Sequence, residues 1–469
     1  MMIDWLKEVE LRKEDLIRDT QEFLKIKSVL NEEEKNENAP FGKGIKEALE
    51  YALDTCEASG MNVKNLDGYA GHAEIGQGNE IIGILCHVDV VPEGDGWTTP
   101  PYAAEVRDGK IFARGAIDDK GPTMATIYAA KIVKDLNLNL NKRVRIIFGT
   151  DEESHWRGVH YYFEREEMPA MGFAPDADFP IIIAEKGIAD ITLEAKHQER
   201  VNSQKAFVQS FVSGKRPNMV PDLANVVIHG MTEQLEQIQS SFEQFLKEYP
   251  HHGDVSLNGE NITLTLAGVS AHGMEPDKGV NAGLELIHFL MRVERWLHID
   301  PWMKWADQVL YRDYDGKKLG INYEDEITGD LTVNPGILKM EKDKATITLN
   351  VRYPVTTLYE QMIRKIEGNG ILWGITITNI DNSKPHHVDK NHPLVKTLQK
   401  VYKEQIGEEA TLLSIGGGTY ARALQVGVAF GPLFPGKVET AHQKDEYIEI
   451  EDLLKATAIY AQAIYELAK

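Results

Sequence analysis

Residues Ile81 to Cys86 form an unbroken apolar run that ends abruptly in His87, Val88 and Asp89. A run this short, closed by polar residues, predicts a buried parallel strand. Val144 to Gly149 repeats the pattern and empties into Thr150, Asp151, Glu152 and Glu153, and Ile181 to Ile183 gives a third short run. Between the first two, Thr123 to Leu136 is helix-compatible. Further along the pattern changes. Asn261 to Gly268 and Ala345 to Tyr353 alternate apolar and polar residues, as half-buried strands do, and Glu233 to Tyr249 and Ala282 to Arg295 carry amphipathic helical spacing. Ser414 to Tyr420 reads as a glycine-rich turn and Gly427 to Phe430 as a strand. In the last predicted helix, Ile448 to Leu467, one face holds Leu453, Tyr460, Ile464 and Leu467.

Apolar strands alternating with helices predict an α/β fold, and 469 residues exceed what one hydrophobic core usually serves. Polar motifs cluster before Gly187 and resume only near the C-terminus, so an inserted domain is expected between them. The expected division is 1–185 with 381–469 as one domain and 186–380 as an inserted α+β domain.

Ligands in open α/β sheets bind where the strands end, which puts His87 where chemistry usually sits. Asp89, two residues on, can point the same way and hold one ring nitrogen while the other binds a metal. A second copy of the pattern, His387-Val388-Asp389, follows Lys384-Pro385-His386 with no apolar strand leading in, and reads as a loop. Asp118 and Asp119 stand just before Gly121-Pro122, where an acidic residue also serves as an ordinary helix cap. Three consecutive acids, Asp151 to Glu153, at the end of a buried strand repel one another unless cations neutralise them. Asp176, Asp178 and a distant His442 complete a set of imidazoles and carboxylates suited to a pair of divalent cations.

Composition narrows the class. A formal net charge of −22 argues against nucleic-acid binding, since phosphates would be repelled. No apolar run is long enough to span a bilayer, and the first residues lack the layout of a signal peptide. With two cysteines, Cys56 and Cys86, a cytoplasmic protein without disulfides is expected.

The ordered motifs H-x-D (His87), D-x-K-G (Asp118), D-E-E (Asp151), P-D-A (Asp176) and H-x-x-D-E (His442) resemble the M20 family of two-metal aminoacylases, carboxypeptidases and dipeptidases. The resemblance runs end to end, and phrases such as ILCHVDVVP, RGAIDDKGP, GTDEES, GFAPDADFP and SAHGMEPDKGVNAG look most like the PepV-type dipeptidases. It implies a zinc-exopeptidase-like catalytic domain, a mixed sheet flanked by helices, with the inserted segment as a lid. It also implies metal ligands His87, Asp118, Glu153, Asp176 and His442. Asp118 would bridge the metals and precede a cis peptide to Asp119. His87 and Asp176 would complete one metal; Glu153 and His442 would complete the other. Of the implied catalytic residues, Glu152 is the general base, Asp89 orients His87, and His272 of the lid supports the oxyanion.

The same resemblance implies that Asn218 and Arg352 hold the substrate's C-terminal carboxylate. An arginine suits this because its planar fork pairs bidentately with carboxylates. Gly417, Gly418 and Thr419 lie in a glycine turn whose backbone N–H groups can serve an anion; no Gly-Lys-Ser/Thr follows, which sets it apart from a phosphate loop. Asp119 is the candidate partner of the substrate's free α-amino group. The expected activity is hydrolysis of unblocked L-dipeptides by two Zn²⁺, Mn²⁺ or Co²⁺ ions in a monomer. The alternatives are an N-acyl amino acid deacylase, a carnosinase-like β-alanyl dipeptidase, or a non-catalytic metal- or peptide-binding protein.

Overall fold

In the computed structural model, which describes residues 3–196, 205–341 and 344–469, every residue of the Ile81–His87 strand is buried. Parallel neighbours flank it on both sides, Arg143–Gly149 and Met171–Ala174, so both its faces and both its edges are covered. That explains why its sequence shows no polar alternation. Arg145 lies within a buried strand because Glu74 and Glu166 pair with its guanidinium at 2.8 and 3.4 Å. The sheet runs in the order Asn62–Leu66, Ala70–Gly76, Arg143–Gly149, Ile81–His87, Met171–Ala174, Gly427–Ala429, Ile181–Glu185 and His386–His387, with Leu412–Ile415 also on Ile181–Glu185. Antiparallel pairs at its margins make it a mixed sheet.

Helix Lys120–Asp135 packs against the C-terminal helix Ile450–Ala468. The latter begins later than the spacing predicts, because Tyr447–Glu449 form a short strand against Lys110–Phe112. Its burial is also wider than one face: Leu454, Ile459 and Ala463 are buried along with Leu453, Tyr460 and Ile464. Two other expectations shift. His386–His387 is a two-residue strand rather than part of a loop, and Leu412–Ile415 takes Ser414 and Ile415 out of the glycine turn. In both cases the neighbouring Ile181–Glu185 strand supplies a pairing that local sequence does not announce.

The chain divides into two compact units, the first comprising Met1–Ala184, His387–Ser414 and Gly418–Lys469, the second Glu185–His386 and Ile415–Gly417. The second is built on an antiparallel sheet in the order Gly253–Asn258, Asn261–Ala267, Leu223–His229, Ala206–Ser213, Thr332–Glu341, Lys344–Tyr353, Gly187–Lys196 and Ile375–Ser383. Helices Thr232–Glu248, Ala282–Arg292 and Tyr359–Ile371 turn Leu235, Phe242, Leu286, Phe289 and Ile366 into the core beneath it. Alternation along Asn261–Ala267 buries Ile262, Leu264 and Leu266 and leaves the intervening threonines half-buried. The unit is therefore α+β, as period-2 strands interleaved with amphipathic helices dictate.

Candidate active site

His87 pairs in register with Gly149, and Val88 N–H donates to Gly149 O at 3.0 Å, so the two central strands leave the sheet side by side. Position 149 must be glycine: a Cβ there would lie 2.1 Å from the Tyr420 hydroxyl oxygen. Asp89 then links the two strand ends. Its carboxylate accepts from the main-chain N–H of Glu152 at 3.2 Å and of Glu153 at 3.1 Å. The His87 Nδ1 contact at 3.0 Å is made with the Asp89 main-chain carbonyl, and the carboxylate oxygen stands off at 3.5 Å. Asp89 thus fixes the acidic loop as well as the imidazole.

Asp118 comes from the loop that precedes helix Lys120–Asp135, and a cis peptide joins it to Asp119. Asp119 occupies the helix N-cap position yet makes no side-chain capping bond there. Its Oδ2 instead accepts from His87 N–H at 3.0 Å and from Thr123 Oγ1 at 3.2 Å, while the buried Oδ1 has no hydrogen-bond partner among the described residues. The simple helix-cap reading of this pair is therefore set aside.

Asp118 turns its two oxygens to two histidines, Oδ1 to His87 Nε2 at 2.9 Å and Oδ2 to His442 Nε2 at 3.0 Å. Asp176 Oδ1 lies 3.7 Å from His87 Nε2, and Glu153 Oε1 lies 3.1 Å from His442 Nε2. Ligand atoms of His87, Asp118 and Glu153 fall within 4.8 Å of one another. His442 reaches this position with a left-handed backbone, φ 64°. Glu152 differs from its neighbours: no hydrogen bond to its carboxylate is found among the described residues.

Electrostatics follow from packing these groups together. Burial alone would raise Asp118, but hydrogen bonds from His442 and His87 hold it well below the usual carboxylate range. Burial, then the nearby Asp118 charge, pushes Glu153 up to about 7 and Asp176 up to about 6. Glu152 is raised well above its ordinary value by burial, reinforced by the charges of Asp176 and Glu153. Asp119 is raised by burial and by Asp176. Burial opposes protonation of His442, yet hydrogen bonds to Asp118 and Glu153 lift it to about 11. Lys120, buried beside the cluster, gives its ammonium to the carbonyls of Phe23 and Ile26. A set of five acids with two imidazoles, all oxygen and nitrogen donors, has the chemistry of a site for divalent cations of intermediate softness.

Within the second unit a separate polar group assembles. Gly273 N–H donates to Asn218 O at 2.7 Å, and His272 bridges to Met219, so Asn218 and His272 are neighbours. His272 Nδ1 accepts from Met274 N–H at 3.2 Å, and partial burial, then the Arg352 charge, lowers its pKa. Arg352 is buried, and donates from Nε to Asn350 Oδ1 and from a terminal nitrogen to Gly416 O, both at 2.8 Å. Asn350 is held in turn by Asp190 at 2.6 Å. Gly417 ends the second unit's segment and Gly418 resumes the first. The Thr419 side chain accepts from Ala421 N–H at 3.2 Å.

Three residues without an expected role belong to the first unit's cluster. Glu446 and Arg114 form a buried ion pair beside Asp118, and Tyr420 stands edge-on to His87 with ring centroids 6.1 Å apart. Glu446 was visible as the last letter of H-x-x-D-E, but nothing in that spacing says what it holds.

The profile of "Peptidase family M20/M25/M40" matches residues 83–466. "Putative dipeptidase YtjP" of Bacillus subtilis strain 168 is 54% identical over 100% of both chains. A "Putative dipeptidase" of Staphylococcus epidermidis is 40% identical over 99% of each. Among solved structures, the M20 family metallo-carboxypeptidase Sso-CP2 from Sulfolobus solfataricus shares the fold, with a TM-score of 0.56 at 19% identity over 97% of this chain and 99% of that one. Motif order, the profile match over most of the length and these full-length relatives converge, and the chain belongs to peptidase family M20/M25/M40.

Proposed function

We propose that this peptidase is a metal-dependent dipeptidase that cleaves unblocked L-dipeptides, with two divalent ions held by His87, Asp118, Asp176, Glu153 and His442. Asp118 would be shared, with His87 and Asp176 on one side and Glu153 and His442 on the other. The observation that carries this reading is the orientation of Asp118, whose two oxygens face two different histidines at 2.9 and 3.0 Å. Bound there, a cation pair acidifies water and polarises the scissile carbonyl.

The chain's own residues supply the remaining steps. Glu152, half-buried and with no hydrogen bond to its carboxylate among the described residues, takes a proton from the attacking water and delivers it to the leaving amine nitrogen. Burial, reinforced by the charges of Asp176 and Glu153, raises its pKa above the ordinary carboxylate value. Asp89 keeps the Glu152 and Glu153 amides in place. His272 supports the developing oxyanion, and Arg352, Asn218 and the Gly417-Gly418-Thr419 turn receive the C-terminal carboxylate. Asp119, with one buried oxygen unpartnered, receives the α-amino group. Recognition of both ends makes the site a ruler, since a longer peptide leaves a buried polar anchor unpaired.

Zn²⁺ or Mn²⁺ is the proposed metal, with Co²⁺ able to replace either, and the proposed working form is a cytoplasmic monomer. Two free, buried thiols, Cys56 and Cys86, fit a reducing compartment. No described helix is long and apolar enough to cross a membrane.

The test uses metal-stripped protein given Zn²⁺ or Mn²⁺ and a panel of free dipeptides, one tripeptide and one N-acetylated amino acid, with amino-acid release as the readout. Metal-dependent cleavage confined to dipeptides is expected. Cleavage of the acetylated compound would assign a deacylase, and no cleavage at all would leave a binding protein.

A further inference from the structure

We infer that Arg114 and Glu446 are positioning residues for Asp118, and that their buried pair sets the place from which Asp118 addresses both histidines. The inference rests on the metal-site reading above. Glu446 is fully buried, and Arg114 is 1% exposed. One oxygen of Glu446 takes Arg114 at 2.5 Å; the other accepts from the main-chain N–H groups of Ile117 at 3.0 Å and Asp118 at 3.3 Å. Arg114 is itself anchored, donating to Glu93 O at 3.3 Å and Pro92 O at 3.5 Å, with its guanidinium 5.3 Å from the centre of the Trp97 ring.

The main chain explains why this pair bears on geometry. Ala113 N–H donates to Glu446 O at 3.0 Å, and Tyr447–Glu449 pairs with Lys110–Phe112. Glu446 therefore stands where the segment carrying His442 is zipped to the segment carrying Asp118. Its side chain adds the last link, one carboxylate gripping the amide of the very residue whose side chain must meet His87 and His442. A side-chain carboxylate can be aimed no better than its own Cα is fixed. Stability alone gives a weak reason for such a pair, because a buried ion pair is often replaceable by apolar residues without loss. Placement of a shared ligand gives a specific one, since partners behind metal ligands orient them.

The experiment compares wild type, Glu446→Gln and Arg114→Lys. A glutamine keeps an oxygen for the amides but turns an N–H₂ toward Arg114, so one set of contacts must be given up. Lysine keeps the charge at 114 and loses the fork that reaches Glu93 and Pro92. Calorimetric titration of metal-stripped protein with Mn²⁺, melting temperature, and kcat and KM on a dipeptide are the readouts. Glu446→Gln is expected to stay folded and to weaken both metal sites by about 10- to 100-fold. Its kcat should fall while KM changes little, and Arg114→Lys should lie between it and wild type. Wild-type affinity at both sites with only a lower melting temperature would overturn the inference, and so would weakening confined to one site, because Asp118 is common to both. Should Glu446→Gln fail to fold, Arg114→Lys decides by the same criteria. Wild type that binds no Mn²⁺ overturns the metal-site reading and this inference with it, whereas variants that bind as wild type does overturn this inference alone.

Discussion

Glu152→Gln separates catalysis from assembly. The change keeps the size of the side chain and leaves the Glu152 main-chain N–H on Asp89 Oδ1 at 3.2 Å. The lost carboxylate makes no hydrogen bond among the described residues, so the change breaks none, and it replaces a group whose charged form Asp176 and Glu153 penalise. The metal-free variant should therefore melt no lower than metal-free wild type. Turnover should suffer fully. Removal of a positioned general base costs about 10²- to 10⁴-fold in rate, or about 2.7 to 5.4 kcal/mol of barrier at 1.36 kcal/mol per decade. KM and bound metal should be little changed, because the interaction lost matters only in the transition state. Dipeptide hydrolysis followed by amino-acid release, with metal content measured on the same sample, gives both answers. Turnover within tenfold of wild type would refute the base assignment, and loss of metal together with activity would show that Glu152 serves the site as a ligand.

Metal removal should make the protein sensitive to pH. Glu153 and Asp176 have folded pKa values of about 7 and about 6, above their ordinary 4.5 and 3.8, so the folded chain holds extra protons and stability falls as pH rises through that window. His442, raised from 6.5 to about 11, acts in the same direction: its contribution is complete below 6.5 and lost as pH climbs toward the folded value. Stripped protein should accordingly melt lower at pH 8 than at pH 5.5, with Mn²⁺ closing the gap; identical melting at both pH values would contradict the charge accounting. Arg352→Lys should raise KM for dipeptides by about 10- to 100-fold, the worth of one or two charge-assisted hydrogen bonds, and more than it lowers kcat. An unchanged KM would remove Arg352 from substrate binding.

Strands and helices were legible wherever one residue's burial followed from its own neighbours in sequence. The apolar run before His87 and the threonine-spaced alternation of Asn261–Ala267 are such cases. Short elements were not. His386–His387 and Tyr447–Glu449 are strands because a partner strand from elsewhere lies alongside, Ile181–Glu185 for one and Lys110–Phe112 for the other. Nothing in two or three residues encodes that partner. The C-terminal helix shows the same limit: its apolar stripe was readable, but near-complete burial followed from packing among the helix Lys120–Asp135 and the sheet beside it.

For the site, sequence by itself determined the inventory. Residue chemistry is local, so His87, Asp118, Glu152, Glu153, Asp176 and His442 could be picked out as imidazoles and carboxylates placed at strand ends and loops. What each one touches is a matter of closure between segments well apart in the chain, and only the tertiary structure decided it. It gave the Asp89 carboxylate to the Glu152 and Glu153 amides and its main-chain carbonyl to His87. It turned Asp119 away from capping its helix, gave the Glu152 carboxylate no hydrogen bond among the described residues, and brought Glu446 under the Asp118 amide from 328 positions away. Spacing along a chain constrains which residues share a strand or a helix face; which residue holds which is set by how the strands and loops close in space.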